Sequence, residues 1–230
     1  MKNNWIKKIL FSIIPIAIYI LFEAIFIGIY YLIKYQTGHL ETDFIVSYNK
    51  LFIWLELLLF LISLISFYIT KKKAFNWITI KKIDINHIMK YIVIAVISNI
   101  LITLFLYFMR YDINFTNIDV NTYPLLSLLI LGICTPITEE IIYRYYVYNI
   151  LNHSGSISPE REEKQNNITA IIDGILFAVV HNNILQMGYS FAFGYIFSKL
   201  DKKENSILPG IIMHITINIT SIIITLFFAS

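Results

Sequence analysis

The stretch YPLLSLLILGICTPITEEIIYRYYVYNIL, residues 123–151, places two adjacent glutamates and an arginine inside an otherwise apolar run. Pro124 suits the first turn of a helix that continues through this run. Glu139 and Glu140 follow about 15 residues later, which at 1.5 Å per residue puts them near the middle of a hydrocarbon core of about 30 Å. An ionised side chain at that depth costs at least about 2.5–3.5 kcal/mol unless it meets water or a partner. The stretch therefore predicts a membrane helix with a polar site at its centre.

The composition of the whole chain predicts a membrane protein. Of its 230 residues, 57% are hydrophobic and 14% are charged, whereas soluble domains are about 25% charged. Apolar segments recur along the chain, and most are long enough to cross a bilayer. We expect an all-α fold, a polytopic transmembrane helical bundle of about seven segments, at roughly 9–33, 51–70, 90–109, 124–151, 168–183, 184–200 and 207–228.

The distribution of lysines predicts how the chain lies in the membrane. Lys2, Lys7 and Lys8 precede the first segment, and further lysines fall within residues 71–90 and 199–203. Because cytoplasmic loops are enriched in lysine and arginine, we expect an integral protein of the cell membrane with a cytoplasmic N-terminus. The net charge of +3 is small, and no basic stripe with interleaved aromatics occurs. We therefore expect the lipid bilayer, and no nucleic acid, as a partner.

The three charges of the fourth segment differ in how a helix can satisfy them. Glu140 and Arg144 are four residues apart, so they share a face and can form an ion pair. Glu139 points about 100° away and needs another partner. Pro136 has no N–H to donate to the carbonyl of Gly132, which favours a bend and local entry of water. The pattern indicates a structural ion pair between Glu140 and Arg144, and it leaves the carboxylate of Glu139 without a partner on its own helix.

Two later apolar segments each carry a polar cluster. In DGILFAVVHNN, residues 173–183, His181 lies one turn beyond Phe177 on the same helix face. In LPGIIMHITINITSIIITLFF, residues 208–228, His214 and Asn218 are four residues apart and share a face. A lone histidine such as His181 is more typical of a hydrogen-bonded packing residue than of a catalytic group, whereas His214 and Asn218 place two hydrogen-bond donors within one membrane span.

The polar clusters of three helices are expected to converge, because polar groups in lipid need partners inside the bundle. Glu139, His181, His214 and Asn218 would then supply a base, a second water-binding group and two donors. These groups suffice to hydrolyse an amide, by activating a water molecule and stabilising the oxyanion that follows. The sequence therefore predicts that these four residues form a hydrolytic site.

Three further side chains have more open interpretations. Glu23 and Glu56 fall within early segments, where they either line the cavity or pair with a histidine or arginine of another helix. Cys134 is the single cysteine, so no internal disulfide is expected. A thiol in an apolar helix is more typical of packing than of nucleophilic catalysis.

Three short motifs resemble those of a known family. EEIIYR at 139–144 matches E-E-x-x-x-R, FAVVH at 177–181 matches F-x-x-x-H, and HITIN at 214–218 matches H-x-x-x-N. Over roughly residues 124–225 the chain resembles the CPBP (Abi) family of intramembrane proteases, which includes CAAX-processing endopeptidases and bacteriocin-processing or immunity proteins. The resemblance implies an endopeptidase whose substrate is a membrane-bound peptide or protein: a leader, a pheromone precursor, a bacteriocin or a CAAX-type protein.

The resemblance also implies roles for the four predicted site residues. In the eukaryotic type II CAAX prenyl endopeptidase, the first motif glutamate and the histidine of the next motif hold and activate the water. Here those residues are Glu139 and His181. The histidine and asparagine of the last motif stabilise the oxyanion, and here they are His214 and Asn218.

The remaining motif residues, Glu140, Arg144 and Phe177, are then structural or orienting. The resemblance does not cover residues 1–123, which we expect to form N-terminal transmembrane segments. It implies that residues 124–228 form the catalytic helical core of the last four segments, within one integral membrane domain.

The metal requirement and the activity each have an alternative. One glutamate and two histidines can form a three-ligand zinc site, but the chain lacks H-E-x-x-H and asparagine is a poor zinc ligand. We therefore expect metal-free glutamate chemistry and no cofactor, with zinc as the alternative. The rival functions are a non-catalytic self-immunity or scaffold protein of the same fold, and a proton-coupled carrier. The sequence has no internal repeat, which argues against the carrier.

Overall fold

The computed structural model describes residues 5–37, 44–71, 77–109, 123–152, 158–181 and 183–228. Within these ranges the chain forms seven helices and no strand beyond one isolated bridge between Thr79 and Ser206. The predicted all-α bundle is thereby confirmed. The helices are α1 (Trp5–Thr37), α2 (Phe44–Lys71), α3 (Ile85–Phe108), α4 (Pro124–Asn152), α5 (Pro159–Ala178), α6 (Ile184–Glu204) and α7 (Leu208–Phe228).

Five of the described helices, α1 to α4 and α7, are long and apolar enough to cross a membrane. The fifth predicted segment, 168–183, has the wrong bounds, because α5 begins at Pro159 and ends at Ala178. Its start is favoured by proline in the first turn and by Glu160 and Glu162, whose charges interact favourably with the helix dipole. His181 consequently lies just beyond the end of α5 rather than inside a helix.

Helix α4 alternates between α-helical and π-helical turns. Its π-helical parts are Ile130–Cys134 and Ile141–Tyr148, on either side of the α-helical Thr135–Glu140. In the first π-helical segment, the N–H of Thr135 donates to the carbonyl of Ile130, five residues earlier. The same pattern would pair the carbonyl of Leu131 with residue 136, but Pro136 has no N–H to donate. The carbonyl left by the proline is thus that of Leu131, and not that of Gly132 as predicted. It accepts instead from Asn218 Nδ2 of α7, at 3.0 Å.

Glycines allow α5 and α6 to approach closely beside the centre of α4. A Cβ on Gly194 would lie 3.0 Å from Gly174 Cα and 3.2 Å from Phe177 Cδ1. On α4, a Cβ on Gly132 would lie 3.0 Å from a side-chain carbon of Ile219 on α7. Small residues at helix contacts are the usual means of close packing in membranes. These contacts bring Phe177 and the end of α5 against α4 and α7.

The connection between α2 and α3 is fixed to the far end of α4. Ile78 is buried, and its N–H donates to Asn149 Oδ1 at 2.8 Å while Asn149 Nδ2 donates to its carbonyl at 3.1 Å. An amide side chain can satisfy both polar groups of one backbone residue in this way. These two hydrogen bonds therefore hold Ile78 against the last turns of α4.

Replacing Gly194 with alanine is expected to destabilise the α5–α6 contact, since either the helices must separate or Phe177 must move. Overpacking of this kind costs about 1–3 kcal/mol. Thermal unfolding in detergent measures the effect. Gly188→Ala, on the same helix, is the control, because no atom of another described element lies within 4 Å of its added methyl group. Equal melting temperatures for the two variants would contradict the proposed packing.

Candidate functional site

A cavity of about 810 Å³ opens inside the bundle, and residues of every described helix contribute to its wall. The structure brings all four predicted catalytic side chains to this wall. Glu139 is contributed by α4, His181 follows α5, and His214 and Asn218 are contributed by α7. Residues separated by more than 70 positions in the sequence thus share one enclosed space in an apolar bundle.

His214 lies between the two adjacent glutamates of α4. Its Nδ1 is 2.9 Å from Glu140 Oε1, and its Nε2 is 3.3 Å from Glu139 Oε2. Only a ring that carries protons on both nitrogens can donate to both carboxylates. The ring packs against Phe177 and Phe197, with centroid separations of 5.6 and 5.7 Å. His214 is therefore held in one orientation by two charges and two aromatic rings.

The two glutamates meet different surroundings. Glu140 is fully buried and forms the expected pair with Arg144, whose Nε lies 3.1 Å from Glu140 Oε2. Glu139 keeps 21% of its side chain exposed and faces the cavity. The spacing of the sequence identified no partner for Glu139, and the structure places His214 in contact with it. Because carboxylates that face a cavity can bind water, Glu139 is the glutamate available for chemistry.

Arg144 is held by groups that the sequence analysis missed. Asp173 of α5 is buried, with Oδ2 at 3.6 Å from Arg144 Nε, and it accepts a hydrogen bond from Ser198 Oγ at 2.5 Å. The guanidinium carbon also lies 4.7 Å from the centroid of the Phe177 ring, within cation–π distance. The sequence signal for a buried partner of Arg144 was Asp173 itself, an acidic residue directly before an apolar run.

Phe177 also contacts both histidines, which agrees with an orienting position. Its ring centroid is 5.3 Å from that of His181, and its carbonyl oxygen is 3.0 Å from His181 Nδ1. A neutral ring that donates from Nδ1 leaves Nε2 as an acceptor. His181 is partly exposed to the cavity, so that nitrogen is available to a water molecule.

Asn218 lines the cavity, and its side-chain amide already donates one hydrogen bond. One N–H of Nδ2 donates to Leu131, as described above, and an amide nitrogen has two such hydrogens. One donor therefore remains for a ligand. The bond to α4 fixes the position from which it can act.

Helices outside the motif region also contribute to the cavity wall. The sequence left open whether Glu23 and Glu56 line the cavity or pair with a histidine or arginine. Both carboxylates line the cavity. Glu56 is buried and accepts from Thr135 Oγ1 at 2.7 Å and from Tyr19 at 3.4 Å. The described lining residues include no lysine or arginine. With Glu139, the cavity carries three carboxylates and is acidic.

The zinc alternative requires three ligating side chains grouped around one point. Among the residues that the structure describes, no three histidine, cysteine, aspartate or glutamate side chains are grouped so that they could hold one ion. No step is therefore derived through a metal.

Comparison with known proteins confirms the resemblance read from the motifs. Residues 121–220 match a family model described as type II CAAX prenyl endopeptidase Rce1-like. No curated protein and no solved structure matches the chain. The matched segment contains Glu139, His181, His214 and Asn218, whereas Glu23 and Glu56 lie outside it.

Replacing Arg144 with methionine is expected to destabilise the bundle strongly, because Glu140 and Asp173 would remain buried without their cation. Breaking a buried pair in this way costs about 3–5 kcal/mol. Thermal unfolding in detergent measures the loss. Lys202→Met is the control, since Lys202 pairs with Glu162 at 2.9 Å in an exposed position that contributes at most about 1 kcal/mol. Similar losses in the two variants would contradict this account of Arg144.

Proposed function

We propose that this protein is an intramembrane endopeptidase, because residues 121–220 match the Rce1-like family model of type II CAAX prenyl endopeptidases. Its substrate is a membrane-associated peptide or protein. The observation that carries the proposal is the contact between Glu139 and His214 on the wall of a cavity within apolar helices. A carboxylate in contact with an imidazole, both next to enclosed space, is a suitable arrangement for activating water.

The first step uses Glu139 and His181. Glu139 accepts a proton from a water molecule in the cavity, while the free acceptor nitrogen of His181 holds the same water in position. The water oxygen then attacks the carbonyl carbon of the scissile amide. General-base catalysis of this kind contributes about 10²–10⁴ in rate.

The second step uses His214 and Asn218. The oxyanion of the tetrahedral intermediate accepts hydrogen bonds from His214 Nε2–H and from the remaining N–H of Asn218. Each such donor is worth about 10²–10³ in rate. Glu139 returns its proton to the leaving nitrogen, the C–N bond breaks, and the carboxylate is restored. In this mechanism the ring of His214 carries protons on both nitrogens, and the negative charge of Glu140 beside Nδ1 stabilises that doubly protonated ring, so that Nε2–H remains a donor.

The surroundings suggest where the substrate is cut and what it is. The cavity lies among helices that are apolar enough to span a bilayer, so the scissile bond is reached from within the membrane. Substrate classes consistent with this site are a leader, a pheromone precursor, a bacteriocin or a CAAX-type protein. We place the enzyme in the cell membrane with its N-terminus in the cytoplasm, on the lysine distribution given above.

Replacing Glu139 with glutamine is expected to reduce processing by about 10²–10⁴, because the amide cannot accept the proton of the water. Mass spectrometry of membrane peptides from cells that express either form measures the effect. An uncleaved precursor should accumulate only with the variant. Glu163→Gln, at the exposed start of α5, is the control and should process normally. Normal processing by Glu139→Gln would contradict the proposal and favour a protein that acts by binding.

A strong chelator is expected to leave turnover of the purified enzyme unchanged, since glutamate and histidine supply the chemistry without an ion. The assay compares cleavage of the identified precursor before and after chelation, with a zinc protease as the positive control. Loss of activity that is restored by added zinc would overturn the metal-free mechanism while leaving the proposed reaction intact.

A further inference from the structure

Three carboxylates and one guanidinium are buried together behind the cavity. Glu140, Asp173 and Asp201 have 0%, 0% and 2% of their surface exposed, and Arg144 has 1%. Asp201 belongs to α6, and the proposed reaction assigns it no role. In the sequence it stands in KLDKKEN, where it resembles a surface charge. A buried carboxylate without a compensating charge or proton is very costly, so Asp201 requires an explanation.

Asp201 and Glu140 both approach Gly210 of α7. A Cβ on Gly210 would lie 2.7 Å from Glu140 Oε2 and 2.9 Å from Asp201 Oδ2. Both oxygens are buried, and among the described residues Asp201 Oδ2 has no hydrogen-bond partner, while Glu140 Oε2 has the ion-pair contact with Arg144 Nε at 3.1 Å. The other oxygen of Asp201, Oδ1, accepts from the Gly210 N–H at 2.8 Å. The two buried oxygens thus approach the same position beside Gly210 from either residue.

The three buried carboxyls differ in the contacts that can balance a negative charge. Glu140 contacts the guanidinium of Arg144, with Nε at 3.1 Å, and the ring of His214, with Nδ1 at 2.9 Å. Asp173 faces Arg144 and accepts from the hydroxyl of Ser198. Among the described residues, Asp201 has neither a cation in contact nor a side-chain donor. A proton placed on Asp201 therefore removes the least favourable charge.

We infer that Asp201 is protonated in the folded protein and that its Oδ2–H donates to Glu140 Oε2. With this proton, the ionised Glu140 and Asp173 balance Arg144 and a doubly protonated His214. Asp201 is then a positioning residue: it holds Glu140, and through Glu140 it holds the ring of His214. The other titratable groups within electrostatic range of Asp201 are Arg144, Asp173, Tyr91 and Tyr148.

This assignment goes beyond the proposed reaction and does not depend on it. A proton shared between Asp201 and Glu140 would fix His214 whether the cavity hydrolyses a peptide or only binds one. The test therefore uses the purified full-length protein in detergent without any substrate, and its result is separate from the activity of Glu139→Gln.

Infrared difference spectroscopy tests the proton directly. The spectrum of the wild type minus that of Asp201→Asn, at neutral pH, is expected to show the carbonyl stretch of a protonated carboxyl group, shifted in heavy water. The matched difference with Asp173→Asn should lack that band. Absence of the band from the Asp201 difference, or its presence only in the Asp173 difference, would overturn the inference.

Two substitutions test the positioning role. Asparagine at position 201 keeps one acceptor and one donor in place, so Asp201→Asn should fold and retain the wild-type melting temperature. Asp201→Ala loses the donor to an ionised group and should melt roughly 5 °C lower. The ¹⁵N resonances of the His214 ring should be unchanged in Asp201→Asn and shifted in Asp201→Ala. Failure of Asp201→Asn to fold, or indistinguishable behaviour of the two variants, would contradict a protonated Asp201.

Discussion

The buried ion pair between Glu140 and Arg144 is the interaction on which the site depends. Glu140 faces Arg144 with one oxygen and His214 with the other. Without the guanidinium, Glu140 would be a buried charge in an apolar bundle, and the contact that orients His214 would be lost. Charges buried in this way are tolerated only when hydrogen bonds and opposite charges satisfy them. The pair thus stabilises the bundle and orients the imidazole at the same time.

Adjacent residues on a helix point in different directions, and this chain uses that property to separate two roles. Glu140 points into the packed interior, while Glu139, about 100° around the helix, points into the cavity. His214 contacts both carboxylates, so its ring links the buried Glu140 to Glu139 at the cavity. The aromatic rings of Phe177 and Phe197 limit the ring to this position.

The cavity is assembled from both halves of the chain. The segment that matches the family supplies the glutamate, the two histidines and the asparagine, whereas α1 and α2 supply Glu23 and Glu56. Their carboxylates give the space an acidic character that the matched segment would not have alone. The matched segment and the two N-terminal helices thus contribute to one cavity wall.

The amino-acid sequence by itself determined what depends on local geometry. Apolar length predicted the membrane helices, and the four-residue spacing of Glu140 and Arg144 predicted their pair, because each follows from a rise or rotation per residue. The tertiary structure alone decided that His214 contacts both glutamates, that Asn218 binds the carbonyl of Leu131, and that Asp173 and Asp201 join the buried charges. Those contacts depend on how helices distant in sequence are rotated and packed against one another. No local spacing encodes that arrangement.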